Sequence, residues 1–180
     1  ALKDGGDGLA DSKVLDTLAK SVSSAELSDI ESRLFNAVID TLRLNRASWL
    51  LQTGKSKGVV DLLDGLLSGE VTAMPMMQAV KHLVLEYDIG LPNLVSWYQE
   101  NDPQSPWHTL ARAGVYVANK DELNAARDYK RAGDHPSFDY EHKITLYRKS
   151  LIHLAHAEQW SEAVALLEQE PALKSALTKR

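Results

Sequence analysis

The run HLAHAEQWSEAVALLEQEP, His153 to Pro171, decides the fold. It reads as the end of one helix, a tight turn at Glu158 to Trp160, and a second helix folded back on the first. Upstream, Ile144, Tyr147, Leu151, Leu154 and Ala155 fall at helical spacings and share one face. Thr145, Lys149 and His156 fall on the other side, whereas Leu146 and Ile152 lie off the main stripe, so this helix is expected to touch more than one neighbour. Ser161 stands where an N-cap is wanted, because its hydroxyl can accept from an orphan backbone N–H. Ala163, Val164, Leu166 and Leu167 form the apolar side of the second helix, and Trp160 is expected to wedge between the two. Pro171 suits the first turn of a further short helix.

The pattern from Trp160 through Ala163 to Leu167, closed by Pro171, resembles the second helix of a tetratricopeptide-type repeat. The resemblance covers about a quarter of the chain. It departs from the family in the preceding helix, whose expected small residue is replaced, and no repeat of about 34 residues runs through the sequence. Such a resemblance implies a protein-binding scaffold of stacked helical hairpins.

A chain of 180 residues can bury roughly 70% of its unfolded surface, so neither metal nor disulfide is required for stability. There is no cysteine, which removes disulfides, zinc–thiolate sites, iron–sulfur clusters and thiol nucleophiles together. That composition fits a reducing compartment, and a cytoplasmic location is expected. The net charge of −5 opposes general binding to nucleic acid or anionic membranes. No stretch is apolar enough to span a bilayer, and no secretory signal stands at the start.

Along the chain, residues 1–8 read as a frayed tail. Residues 9–180 read as one all-α domain, with a subdomain joint where two prolines interrupt residues 101–106. A short amphipathic helix is expected over Leu9 to Val22. A long one follows from about Ser24 to Thr53, with Leu27, Ile30, Leu34, Ala37, Val38, Leu42, Trp49 and Leu50 in its apolar, inward stripe and a break near Asn45. Gly54 to Gly58, GKSKG, contains the GKS of a phosphate-binding loop. That motif needs a glycine where this chain has Trp49, so a helix C-cap is the expected reading. Val59 to Leu67 is apolar nearly all round and belongs in a core. Further helices are expected after Pro75, Pro92 and Pro106, with Asn119 ending one in a left-handed conformation and Asp121 capping the next. No strand is expected, although the β-branched run Gly114 to Ala118 comes nearest to one.

Motifs for chemistry are sparse. His153 and His156, three apart, can hold zinc if a third ligand comes from Glu158, His135, Asp139, Glu141 or His142, but solvating a polar helix face is the plainer role. The same residues 135–158 would serve a small helical hydrolase. His82 and Glu86 stand one turn apart, and a surface hydrogen bond is expected there rather than an acid–base dyad. No nucleophile elbow, dinucleotide fingerprint or HExxH motif is present. Lys120, Arg127, Lys130, Arg131, Lys143, Arg148 and Lys149 form a basic stretch interleaved with Tyr129 and Tyr147, which a nucleic acid could follow. Six acidic residues share that stretch, as on an ordinary mixed surface.

The expectation is an all-α array of eight or nine helices in stacked antiparallel hairpins. Its function is expected to be non-enzymatic: an adaptor, chaperone or regulatory subunit that holds a peptide or helix of another protein, with no cofactor, no metal and no catalytic residue. Trp97, Tyr98, Trp107, Met74, Met76 and Met77 are the anchor candidates, because aromatics and methionine suit contact surfaces. A nucleic-acid-associated protein using the 120–149 face is the alternative.

Overall fold

The structure, a computed structural model, describes residues 12–23, 29–54, 58–67 and 74–174. It is all-α, with no strand among the described residues. Nine helices follow in order among the described residues: α1 (Ser12–Ser23), α2 (Asp29–Gln52), α3 (Val59–Leu67), α4 (Met74–Glu86), α5 (Pro92–Asn101), α6 (Pro106–Ala118), α7 (Glu122–Gly133), α8 (Tyr140–His156) and α9 (Trp160–Gln169). Residues 172–174 add one further helical turn. The expected tail at 1–8 lies outside the described residues. Two compact units divide the chain at Val80 and Lys81, within α4. The segment 101–106, expected as a joint, lies inside the second unit.

In the first unit α1 and α3 both pack on α2. Val59, Leu62, Leu63, Leu66 and Leu67 of α3 are buried, as the apolar run required. Arg43 joins α1 to α2 by bonding Asp16 at 2.7 Å and Asp40 at 3.3 Å. The expected break at Asn45 is absent, since α2 runs through it to Gln52. Gly54, at φ +71°, takes the left-handed position that ends this helix.

In the second unit α5 packs on α6, α6 on α7, α7 on α8 and α8 on α9. Short connections between these helices force antiparallel neighbours. Side chains confirm the direction for α7 and α8, because Glu122, Ala126 and Asp134 meet His153, Ser150 and Tyr147 respectively. Tyr147, Leu151 and Leu154 of α8 share a core with Ala126 of α7 and with Ala163 and Leu166 of α9. Ser150 Oγ donates to the Ala126 carbonyl at 2.8 Å, so α7 and α8 lie close.

Local signals were partly misplaced by the sequence. Asp121 and Asp139 cap α7 and α8 by accepting from the backbone N–H groups of Asn124 and His142. Asn119 is not left-handed. That conformation falls on Lys120 at φ +60°, and on Glu158 at φ +57° in the α8–α9 turn. Helix α9 begins at Trp160 with Gln159 as its N-cap, so Ser161 is already helical. Trp160 is 62% exposed and wedges nothing, because the helix starts at that residue and Ala163 and Leu166 fill the inner positions. Gly114 sits inside α6, where a Cβ would come within 2.1 Å of the Ile89 carbonyl oxygen. Its missing side chain lets the 88–91 segment lie directly on that helix.

Candidate functional site

Helix α2 carries two apolar faces. Ile39, Ala47 and Leu50 are buried, with the Arg43 stem beside them, at spacings of four, four and three along residues 39, 43, 47 and 50. The second face runs through Phe35, Val38, Leu42, Asn45 and Trp49 at spacings of three, four, three and four, all of them exposed. Leu34 flanks it at 65% exposure, and Val38 at its centre is 57% exposed. The two faces stand roughly a third of a turn apart around the axis. Leu34, Val38, Leu42 and Trp49 were expected inside. They are outside because α1 and α3 cover only the other stripe. Glu31 lies at one end of the open face. At the other, the Arg46 guanidinium stacks on the Trp49 ring at 4.5 Å.

The anchors chosen by residue type fare differently. Tyr98 is 2% exposed and Met77 is buried, so both belong to the core. Each falls on the inward side of its helix, which residue type alone does not reveal. Trp97 remains partly exposed, edge-on to Tyr98 with ring centroids 5.0 Å apart. Trp107 is half-buried against Phe138, also at 5.0 Å. The side chains of Met74 and Met76 lie outside the described residues.

The second unit assembles a polar cluster around α8. Lys149 and His153 were expected on its solvated side but are only 7% and 5% exposed. They are one turn apart, on a flank of α8 that faces α7 and the segment after α4. Asp88 Oδ1 accepts from Lys149 Nζ at 2.8 Å and from the Tyr129 hydroxyl at 2.6 Å. Its Oδ2 stands 3.8 Å from His153 Nε2, an ion-pair distance too long for a hydrogen bond. On the other side of the same ring, His153 Nδ1 is 2.6 Å from Glu122 Oε2. His156 Nδ1 reaches the same oxygen at 3.4 Å. The His153 ring stacks on Tyr129, with centroids 5.4 Å apart and planes 19° from parallel.

Electrostatics follow from that geometry. Burial pushes the Asp88 carboxyl up, but His153, the Lys149 ammonium and the Tyr129 hydroxyl outweigh it and hold the group well below its usual range. Burial drives Lys149 down despite Asp88. Burial and the adjacent carboxylate drive the Tyr129 hydroxyl up. For His153 burial favours the neutral ring, yet the two flanking carboxylates prevail and raise it.

Glu122, His153 and His156 therefore converge on one point, with all three donor atoms within 4.8 Å of one another. Glu122 was not among the ligands sequence proximity suggested. The signal was available in the pairing of antiparallel hairpins, which sets the first residue of α7 beside the last turn of α8. The ligands that proximity did suggest sit elsewhere: His142 Nδ1 pairs with Asp139 at 2.8 Å in the first turn of α8, and His135 Nδ1 accepts from the Ser137 N–H. His82 and Glu86 form an exposed pair at 3.3 Å.

Four of the seven basic residues of the 120–149 stretch are paired with carboxylates: Arg127, Lys130, Lys143 and Lys149 with Glu162, Asp134, Glu170 and Asp88. A polar cleft of about 480 Å³ opens beside Gln99, Gln104, His108, Arg112 and Arg131. Its Arg112 is already neutralised by two hydrogen bonds to Asp128, at 2.6 and 2.8 Å.

The fold and these sites define an all-α array of short-looped helices, with an open apolar helix face in one unit and a histidine–carboxylate cluster in the other. No protein-family model matches the sequence, and no curated protein or solved structure matches it either.

Proposed function

We propose that this chain is a non-enzymatic interaction module that docks an amphipathic helix of another protein along the open face of α2. One observation carries the reading. Phe35, Val38, Leu42 and Trp49 repeat at the three–four spacing of a helix–helix seam and lie in water, while the same helix is anchored to its own unit by a different stripe. Together with Leu34 they leave on the order of 500 Å² of apolar surface exposed, near the upper end for an ordinary monomer. The spacing selects a helix, because an extended peptide would present alternate residues instead.

Charge supports an antiparallel occupant. Glu31 lies toward the start of the face and Arg46 toward its end. A helix with an acidic first turn and a basic last turn, as the macrodipole favours, meets both when it runs the opposite way. The tetratricopeptide-like pattern of α9, from Trp160 to Leu167, is consistent with a scaffold of this kind.

The test places a photo-crosslinking amino acid at Val38 or at Leu42 in the full chain expressed in its native cells, and maps the adduct. The reading expects crosslinks to one other polypeptide, at sites three or four residues apart within a helix, and their loss in Phe35→Lys. Adducts with a second copy of this chain, or no adduct above that at exposed Asn36, would overturn it.

A further inference from the structure

We propose that Glu122, His153 and His156 form a binding site for a divalent first-row transition ion of the zinc class. Two imidazole nitrogens and one carboxylate oxygen approach a common point. Zinc, cobalt, nickel and copper take such donors, whereas calcium and magnesium favour oxygen throughout. Both histidines direct Nδ1 at the same oxygen, Glu122 Oε2, at 2.6 and 3.4 Å. An ion about 2.0–2.2 Å from each donor requires the Glu122 side chain to back away by on the order of 1 Å. Glu122 can do so, because its side chain is partly exposed and joins α7 at the first helical residue.

A second, independent observation lies on the far side of the His153 ring. Its Nε2 is buried without a hydrogen-bond partner and faces Asp88 Oδ2 at 3.8 Å. A neutral imidazole carries one N–H. With the proton on Nδ1, a lone pair points at the Asp88 carboxylate; with it on Nε2, a lone pair points at Glu122. A positively charged ring satisfies both neighbours, with a proton on Nε2 and either a second proton or a metal ion on Nδ1. A metal on Nδ1 creates that state and leaves Nε2–H directed at a carboxylate, the usual support behind a metal-bound histidine. Stacking on Tyr129 holds the ring plane in place. Lys149 balances the Asp88 charge, so the ion faces one uncompensated carboxylate, Glu122. His156 is 61% exposed on its side chain, which leaves the remaining coordination position open to water.

The ion would clamp the start of α7 to the end of α8. The experiment titrates the full chain with Co²⁺, read by visible absorption, and with Zn²⁺, read by calorimetry and by the thermal midpoint. The expected result is one ion per chain, cobalt bands of four-coordinate intensity, and a rise of several degrees at saturating zinc. His156→Ala and Glu122→Gln change partly exposed side chains and should fold as the parent does, with at least a tenfold weaker ion. Asp88→Asn should weaken it by about tenfold through loss of the support behind His153. Absent or octahedral cobalt bands would overturn the proposal. So would binding that His156→Ala and Glu122→Gln leave unchanged, since the ion would then sit elsewhere.

Discussion

Replacing Gly114 by alanine sets two opposite expectations against each other. Gly114 is inside α6, and alanine in a helix interior is favoured over glycine by about 1 kcal/mol. The added Cβ, however, would lie 2.1 Å from the Ile89 carbonyl oxygen and 2.8 Å from its carbon. Both are backbone atoms, so no rotamer relieves the overlap and the 88–91 segment must lift by more than 1 Å. Overpacking of this kind costs about 1–3 kcal/mol. Lifting the segment also draws Asp88 away from buried Lys149. Losing one partner of a fully buried pair costs about 3–5 kcal/mol, and the 39% exposure of the Asp88 side chain reduces this to about 1–2 kcal/mol. The net expectation is a loss of about 2–3 kcal/mol, which lowers the midpoint of the second unit by about 10–20 °C. Calorimetry and urea unfolding followed by circular dichroism measure it. Gly133→Ala is the comparison, because its Cβ would meet side chains, the Tyr147 ring at 2.7 Å and the Leu146 Cβ at 3.4 Å, rather than backbone, and a smaller loss is expected. If Gly114→Ala melts at or above the parent temperature, helix propensity alone governs the site and the segment does not lie against α6.

Other substitutions test neighbouring claims. Asp88→Ala should destabilise more than Lys149→Met, because the first strands a buried ammonium while the second replaces it with an apolar chain of similar length; equal losses in urea would deny that Lys149 is buried. Leu166→Ala should cost about 2–5 kcal/mol and Trp160→Ala close to nothing, since only the former fills the core; the reverse order would restore the tryptophan wedge. Burial raises the Asp134 carboxyl, but hydrogen bonds from Lys130 and Tyr147 win and hold it below its usual value. Its stabilising contribution is therefore complete above about pH 4–5 and is lost as pH falls through the lowered value. Urea midpoints of the parent and Asp134→Asn should thus converge on acidification from pH 5 towards pH 2, and a constant gap would contradict the shift.

What the sequence made legible was period and punctuation. The apolar spacing in Val59 to Leu67 and in Tyr147 to Leu154, the cap at Asp121, and the stop at Gly54 all rest on local chemistry, and all stand in the structure. Facing was not legible. Phe35, Val38 and Leu42 look as buried on paper as Ile39 does, because α2 has apolar residues around more than half its girth and periodicity cannot say which neighbours arrive. Lys149 and His153 fail for the converse reason. A charged residue reads as solvated until carboxylates from elsewhere are known to meet it, and Asp88 lies 61 residues from Lys149 in sequence. Glu122 was hidden in the same way, although antiparallel pairing of α7 and α8 would have placed it.

Both candidate sites arise where stacking leaves something unmatched. An interior helix such as α8 is flanked by α7 and α9, so its polar residues must be answered from outside itself, and the answering groups come from segment ends, where backbone geometry allows a carboxylate to turn inward. Asp88 follows the end of α4 and Glu122 opens α7. Helix α2 shows the opposite imbalance. Its main partners among the described residues, α1 and α3, pack on it while a second stripe with its own three–four rhythm stays exposed. Exposed leucine, valine and phenylalanine scattered singly require no explanation. Aligned in register over some fifteen residues, about 22 Å of helix, they form a surface whose length and spacing fit the helix proposed to cover it.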